Sequence, residues 1–142
     1  MFSQKSSNLG SPNCLTNIYK QFLNELPFQT VVDNLSFQGV TFDFKIDGFD
    51  STDASYAALG PGETVFVQDP SLEGNAAGIL TLDFATAIST LQFGVALNTN
   101  EFLTPGFTVE LFNSASMSLG ITSVNTSSLL GPFGFTEGLF TY

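Results

Sequence analysis

The sequence predicts an all-β fold, and three observations lead to this prediction. Short segments of alternating apolar and polar residues run through residues 28–142, and this alternation is typical of strands with one buried face. Glycine, proline, asparagine and serine separate these segments at short intervals, as in antiparallel sandwiches and barrels. The 142 residues include sixteen phenylalanines, enough for the core of one domain. We therefore expect a single antiparallel two-sheet β-sandwich.

The first part of the chain divides into an arm and an ambiguous segment. Residues 1–13 are polar and contain a glycine and a proline, which predicts a flexible N-terminal arm ahead of one domain over 14–142. Apolar residues of the segment 15–26 recur at helical spacing, and Pro27 would end such a helix. The competing interpretation makes residues 20–24 a short first strand. Both interpretations stay open.

Strand candidates follow one another from Phe28 to the end of the chain. The clearest covers 40–46, where valine, phenylalanine and isoleucine alternate with polar residues. The segment 47–62 is rich in glycine, serine, alanine and aspartate, and we expect a connector too polar to pack. The remaining strand candidates are 64–67, 80–84, 91–97, 107–111, 117–121, 133–136 and 138–142. Four rings stand near polar-face positions and form either a covered core edge or an aromatic ligand surface: Phe112, Phe133, Phe135 and Phe140.

Charge and composition exclude several classes of partner. Three lysines and no arginine stand against thirteen carboxylates, giving a net charge of −10. Nucleic acids and anionic lipids bind through lysine and arginine, so we expect neither as a partner. No window of about 20 apolar residues exists, so we expect no membrane insertion. Only 11% of residues are charged, which favours an extracellular or cell-surface domain, although residues 1–10 show no secretory signal.

The residue types that most enzymes use are missing. The chain has no histidine to exchange protons near neutral pH and no histidine base to activate a serine or cysteine nucleophile. Cys14 is the only cysteine, so no intrachain disulfide can form. Glycoside hydrolysis needs two facing carboxylates in a cleft, and no segment combines acidic residues with an aromatic cleft. We expect a protein without enzymatic activity.

One acidic loop is a candidate metal site. Asp47, Asp50 and Asp53 lie within seven residues of each other in the connector. Calcium takes six to eight oxygen ligands with tolerant geometry, so such a loop could bind Ca²⁺. The spacing is not that of an EF-hand. The alternative is an ordinary solvated loop in which aspartate and serine bond their own backbone.

An ordered set of segments resembles a known group of domains over residues 22–142. The set consists of Asn24–Pro27, Val31–Asn34, Phe37–Phe42, Gly78–Phe84, Leu91–Ala96, Phe107–Phe112 and Gly134–Tyr142. It resembles the jelly-roll domains of bacterial cell-surface and exported proteins, including many that carry PEP-CTERM sorting signals. The resemblance implies a two-sheet antiparallel jelly roll without catalysis. Related domains continue into one or two further strands, so it also implies that the last strands are lacking. The edge left by them is then open, or is covered by the N-terminal segment or by a second chain.

The resemblance adds one metal ligand. Calcium-stabilised jelly rolls often take a carboxylate from the first strand, and Glu25 stands at that position. A second acidic ligand commonly comes from a last strand that this chain lacks. The predicted calcium ligands are therefore Glu25, Asp47, Asp50 and Asp53.

Two functions follow from these expectations. The first is an extracellular or cell-surface domain that binds a glycan or a surface protein, with Tyr56, Tyr142 or phenylalanine rings stacking on sugars. The alternative is a structural protein of a surface or filament that self-assembles as a homo-oligomer through open β-edges.

Overall fold

A computed structural model describes residues 2–3, 25–62, 64–128 and 134–142 of the chain. They form strands, turns and loops, with no α-helix among them and hence no helix that could cross a membrane. The strands in chain order are β1 (Phe2–Ser3), β2 (Leu35–Phe37), β3 (Val40–Ile46), β4 (Phe49–Asp50), β5 (Ser55–Ala57), β6 (Ser71–Glu73), β7 (Ile79–Phe84), β8 (Gln92–Asn98), β9 (Phe107–Phe112), β10 (Ser118–Val124), β11 (Ser127–Ser128) and β12 (Phe135–Thr141).

The largest sheet has six strands in the order β11-β12-β8-β1-β6-β5, and its pairs are antiparallel. The central pair is β8 with β12, which runs without interruption from Gln92 opposite Thr141 to Asn98 opposite Phe135. Beyond this pair, Leu91 and Tyr142 exchange two backbone hydrogen bonds of 2.8 and 3.0 Å. The two short strands β1 and β6 connect this pair to β5 at the far edge.

A second sheet is built on β3. One edge of β3 pairs with β2 and then with β4. The other edge pairs with β7 along the full length of β7. The strands β2 and β3 are joined by a tight turn in which Gln38 and Gly39 both adopt positive φ. The remaining strands, β9 and β10, form a hairpin that is a separate two-stranded sheet.

The main core lies between the β3 sheet and the β5–β6 end of the six-stranded sheet. Alternation along β3 directs Val40, Phe42 and Phe44 inward, and all three are buried. They belong to one cluster with Tyr56 of β5 and Leu72 of β6. Leu80, Leu82 and Phe84 of β7 pack against the same cluster. This burial is the main apolar contribution to stability, at about 25 cal/mol per Å² removed from water.

The β8–β12 pair is covered on both faces. On one face, the Phe140 ring packs on Phe93 with centroids 5.2 Å apart, and Phe93 packs on Phe107 of the hairpin at 6.4 Å. On the other face, Ala96 and Phe135 pack with Val67, which belongs to the loop between β5 and β6. This explains why β12 is buried at successive positions instead of every second one.

The all-β, antiparallel character of the fold is confirmed, and the facing sheets are consistent with a β-sandwich. The jelly-roll connectivity stays a prediction. Segment 15–26 lies outside the described residues apart from Glu25 and the buried Leu26, as does most of the predicted arm 1–13, of which β1 pairs with β6 and β8.

Three predictions about individual segments were wrong. The segment 47–62 was expected to be too polar to pack, but it contains β4 and β5 and buries Tyr56, because Ala54 and Ala57 beside it are small enough to enter the core. Residues 64–67 form a hydrogen-bonded turn, not a strand, since the Thr64 amide donates to the Val67 carbonyl at 2.9 Å. The last two strand candidates are one strand, β12, because Gly138 continues the ladder opposite Val95.

Candidate binding surface on the β9–β10 hairpin

The β9–β10 hairpin is held in shape by its turn. Asn113 accepts hydrogen bonds at its side-chain oxygen from the Ala115 and Met117 amides, at 2.9 and 3.0 Å. Its own amide donates to the Met117 carbonyl at 3.0 Å, and its carbonyl accepts from the Ser116 amide at 2.9 Å. Asparagine is favoured in turns because its side chain can take the place of a backbone group in this way. The hairpin is therefore an ordered element with a fixed tip.

The base of the hairpin packs on the six-stranded sheet. Val124 of β10 lies opposite Phe107 of β9, and both approach Gly138 of β12. A Cβ at Gly138 would lie 3.0 Å from a Val124 methyl and 3.1 Å from the Phe107 ring. Glycine at this position lets the hairpin come close to β12. The hairpin is thus fixed at its base.

Away from its base, the hairpin carries apolar side chains in solvent. Six of the seven residues of β10 are exposed, and the seventh is Val124 at the base. Ile121 is 67% exposed although isoleucine is usually buried. We define the hairpin surface as the four exposed apolar side chains of this region: Phe112, Met117, Leu119 and Ile121. Exposed apolar groups that cluster on one element are typical of binding surfaces.

The hairpin surface is also free of charge. Residues 111–128 contain no charged side chain, and Glu110, opposite Ile121, is the only one between residues 102 and 128. The whole chain carries a net charge of −10, so this stretch differs sharply from the average of the sequence. A partner that approaches the outer edge of β10 meets apolar groups, hydroxyls and backbone, and the one carboxylate in this stretch is Glu110 on the neighbouring strand β9.

The outer edge of β10 is less protected than the edges of β5 and β7. The edge of β5 is covered by the segment 29–32, since the Tyr56 amide donates to the Thr30 carbonyl and the Gln29 amide to the Tyr56 carbonyl, both at 2.8 Å. The edge strand β7 carries Asp83. Charge and coverage are the usual ways in which an edge avoids pairing with another chain.

Within the described residues, β10 pairs only with β9 and has neither protection. A bulge between Ser118 and Gly120, where Gly120 has a φ of 131°, disturbs the half of the strand near the tip. From Ile121 to Val124 the ladder with β9 is regular. This half presents unpaired backbone groups to solvent in the geometry that another strand needs.

Three carboxylates accept hydrogen bonds from the loop between β5 and β6, a structural role that was not predicted from the sequence. Glu137, 2% exposed, accepts hydrogen bonds from the Val65 amide at 3.0 Å, the Phe66 amide at 2.8 Å and the Thr64 hydroxyl at 2.6 Å. A sequence signal exists, because Glu137 shares its face of β12 with Phe135 and Leu139. A carboxylate among apolar neighbours on one face predicts a buried group with hydrogen-bond donors.

The other two carboxylates bind the same loop from β6 and the residues just before it. Glu73 accepts from the Leu59 amide at 2.8 Å and the Gly60 amide at 3.1 Å, and Asp69 accepts from the Gly62 amide at 2.7 Å. Burial raises the pKa of Glu73, and the two amide donors act in the opposite direction. These carboxylates fix the loop, and their acceptor atoms are directed at the backbone rather than at an open site.

The predicted calcium ligands lie in two separate places. Glu25 accepts a hydrogen bond from the Gln38 side chain at 2.8 Å, at the β2–β3 turn. Asp47 follows the other end of β3, a strand of seven residues or about 20 Å, and Asp50 is paired with Lys45. Asp53 lies in the segment between β4 and β5. Among the residues the structure describes, no three acidic or cysteine side chains form a group that could hold a metal. Calcium binding stays a prediction.

Lys45 connects the acidic loop to β3. Its ammonium group forms ion pairs with Asp50 and, at 3.1 Å, with Asp43. The hydrogen bonds that the Lys45 ammonium donates to these two carboxylates raise the pKa of Lys45. Asp50 is therefore engaged by a cation of the protein itself, which competes with its use as a metal ligand.

The predicted sugar-stacking rings have different fates. Tyr56 is 3% exposed and belongs to the main core, where burial raises its pKa, so its assignment as a stacking ring was wrong. Tyr142 and Phe112 are more than half exposed, whereas Phe135 and Phe140 are buried. Phe133 lies outside the described residues. The interpretation as a covered core edge is therefore confirmed for Phe135 and Phe140, whereas Phe112 belongs to the hairpin surface.

Comparison with known proteins found no matching protein-family model, no matching curated protein and no matching solved structure. The resemblance to bacterial surface jelly rolls therefore stays a prediction from the sequence.

Proposed function

We propose that this chain is a non-enzymatic β-sandwich domain of the cell surface or extracellular space, and that it binds a surface partner through the hairpin surface. The observation that carries the proposal is an ordered hairpin whose outer strand is exposed on both faces yet bears apolar side chains. Keeping Leu119 and Ile121 in water gives up about 25 cal/mol for every Å² of apolar surface left unburied. Covering them with a partner would recover this free energy.

The chemistry of the rest of the chain supports a binding role over a catalytic one. Histidine and arginine are absent from the sequence, and Glu73, Asp69 and Glu137 are engaged by backbone amides. Lys45 is engaged by two carboxylates. These groups act as structural anchors. The low share of charged residues, 11%, supports an extracellular or surface location.

Site-specific photo-crosslinking tests the proposal. Ile121 is replaced by p-benzoylphenylalanine, and the protein is irradiated in a surface extract of the cells that express it. Ile79 of β7 is a matched control, because both isoleucines lie on edge strands and are 67% exposed. We expect position 121 to capture one defined macromolecule, identified by mass spectrometry, at least about tenfold more efficiently than position 79.

Equal capture from both positions, or none from position 121, would contradict the proposal. A glycan array on the same protein tests the other ligand class that the sequence predicts. Retention of a glycan that is lost on Tyr142→Ala and kept on Ile121→Ser would place the binding site away from the hairpin and would also overturn the proposal.

A further inference from the structure

We propose that the partner of the hairpin surface is a second copy of this chain, joined by antiparallel pairing of residues Ile121–Val124 of the two β10 strands. This inference rests on the proposed function and identifies its partner. The two hairpins would then form one continuous four-stranded sheet, with a two-fold axis between the β10 strands. Such an interface is closed, because each copy offers the same segment to the other.

The outer edge of β10 has backbone groups that a second strand could bind. Residues Ile121–Val124 pair regularly with β9 and leave their other backbone groups unpaired within the described part of the chain. Lysine, proline and a covering loop normally block such an edge; β10 contains neither lysine nor proline, and no loop of the described part of the chain pairs with it. The bulge at Ser118 and Gly120 lies toward the tip and leaves this half free to pair.

The distribution of charge favours a second copy over a partner of opposite charge. A partner with the opposite charge would be expected to contact the acidic parts of this chain, but the hairpin surface lies in a stretch without charged residues. Two copies that each carry −10 repel one another, and the repulsion is smallest where their contact contains no carboxylate. The stretch 111–128 meets this condition. An anionic membrane offers no such match, since its attraction depends on lysine and arginine.

The edge strand β7 carries an isoleucine as exposed as the one on β10, which makes the two strands a matched comparison. Ile79 is as exposed as Ile121, but it lies opposite Lys45, and Lys45 pairs with Asp43 on the same strand. Asp83 adds a further charge to the edge strand itself. Pairing of two β7 edges would bring the Asp83 carboxylates to the seam, whereas β10 has no charged residue of its own and its neighbouring carboxylate, Glu110, lies one strand away on β9. The isoleucines of the two edge strands are thus equally exposed, but β7 carries a charge at the edge and β10 does not.

Sedimentation velocity of the purified chain tests the inference over a concentration series at about 0.05 M and about 0.5 M NaCl. Salt screens the repulsion between acidic copies, with a Debye length of about 10 Å at 0.1 M. We expect a monomer–dimer equilibrium that shifts toward dimer at the higher salt. Ile121→Glu places like charges at the seam and is expected to raise the dimer Kd at least about tenfold. Ile79→Glu is expected to change it less than about twofold.

A disulfide test then distinguishes edge pairing from other contacts. In a Cys14→Ser background, Ser123→Cys places one thiol in the pairing segment of each copy, and Thr81→Cys places one on β7 as a control. With the two-fold axis at Ser123, the two thiols lie directly opposite each other, within the Cα separation of about 7 Å that a bridge needs. We expect covalent dimers from Ser123→Cys at least about tenfold faster than from Thr81→Cys. Circular dichroism shows that each variant is folded.

Three results would overturn the inference: a monomer at every concentration and salt, equal weakening by both glutamate variants, or equal disulfide rates at the two positions. A monomeric protein that still captures another macromolecule from position 121 would leave the proposed function standing and refute self-pairing alone. Absence of both self-association and capture would refute both.

Discussion

The strands β12 and β10 are equally long, lie close to each other and look alike in sequence, yet their environments are opposite. Each has seven residues, of which five are buried in β12 and none in β10. β12 has the hairpin base on one face and the loop 64–67 on the other, whereas β10 is covered on neither face beyond Val124. The comparison teaches that alternation identifies a strand but does not say how many of its faces are covered.

The two strands reverse the usual distribution of residue types, in which carboxylates are exposed and aliphatic residues are buried. The fully covered strand contains a carboxylate, Glu137, and the uncovered strand contains Leu119 and Ile121. Burial of Glu137 is tolerated because three donors bind it. Exposure of the two aliphatic residues has no such compensation within the described chain. The burial of Glu137 is therefore explained by the fold, and the exposure of Leu119 and Ile121 supports a role in binding.

The largest effect is expected from Glu137→Ala. The substitution leaves the Val65 and Phe66 amides and the Thr64 hydroxyl without their acceptor beside a buried strand. We expect a loss of about 3 kcal/mol in the free energy of unfolding, measured by urea denaturation. Glu110→Ala on the hairpin is the matched control and should change it by less than about 0.5 kcal/mol. Equal losses would mean that the burial of β12 is not what distinguishes the two glutamates.

A smaller effect is expected from Gly94→Ala in β8. A Cβ at this position would overlap the backbone carbonyl of Phe66, so the loop would have to move away from the strand. We expect a loss of about 2 kcal/mol, typical of overpacking. Faster hydrogen exchange of the Val65 and Phe66 amides would locate the change in the loop. A stability equal to that of the unaltered chain would show that the loop does not lie tightly on this face.

The smallest effect is expected from Ile121→Ala in β10. Its side chain is 67% exposed, so truncation should change the unfolding free energy of the monomer by less than about 0.5 kcal/mol. Val95→Ala, in the buried β8, should cost about 2 kcal/mol. Thermal unfolding at low protein concentration and low salt measures both. A large loss at Ile121 under these conditions would mean that the hairpin surface is part of the monomer core.

Much of the fold could be predicted from the sequence because its signals are local. The alternation of Val40, Phe42 and Phe44 identified β3 and its buried face, and similar patterns identified β7, β8 and β9. The short strand β6 was missed, because Ser71–Glu73 is too brief to show alternation. Tyr56 was misplaced, because its burial depends on distant strands that close over it.

The candidate surface was harder to predict, because exposure depends on segments that are distant in sequence. Phe112 was recognised as out of pattern, but Phe135 and Phe140 gave the same signal and are buried. What separates them is whether a distant segment lies over the strand, and the sequence does not state this. The acidic loop shows the converse, since proximity of Asp47, Asp50 and Asp53 in sequence did not reveal that Lys45 engages one of them.

The carboxylate of Glu137 also affects the order in which the chain can fold. It binds amides 71 and 72 positions earlier, and β8 obtains its long partner strand only from β12. Contacts between residues so far apart in sequence form slowly, because a large loop must close before they gain stability. During synthesis, the loop and the β12 side of β8 would lack these partners until β12 itself has been made. The pairing of β12 is therefore expected to limit the folding rate.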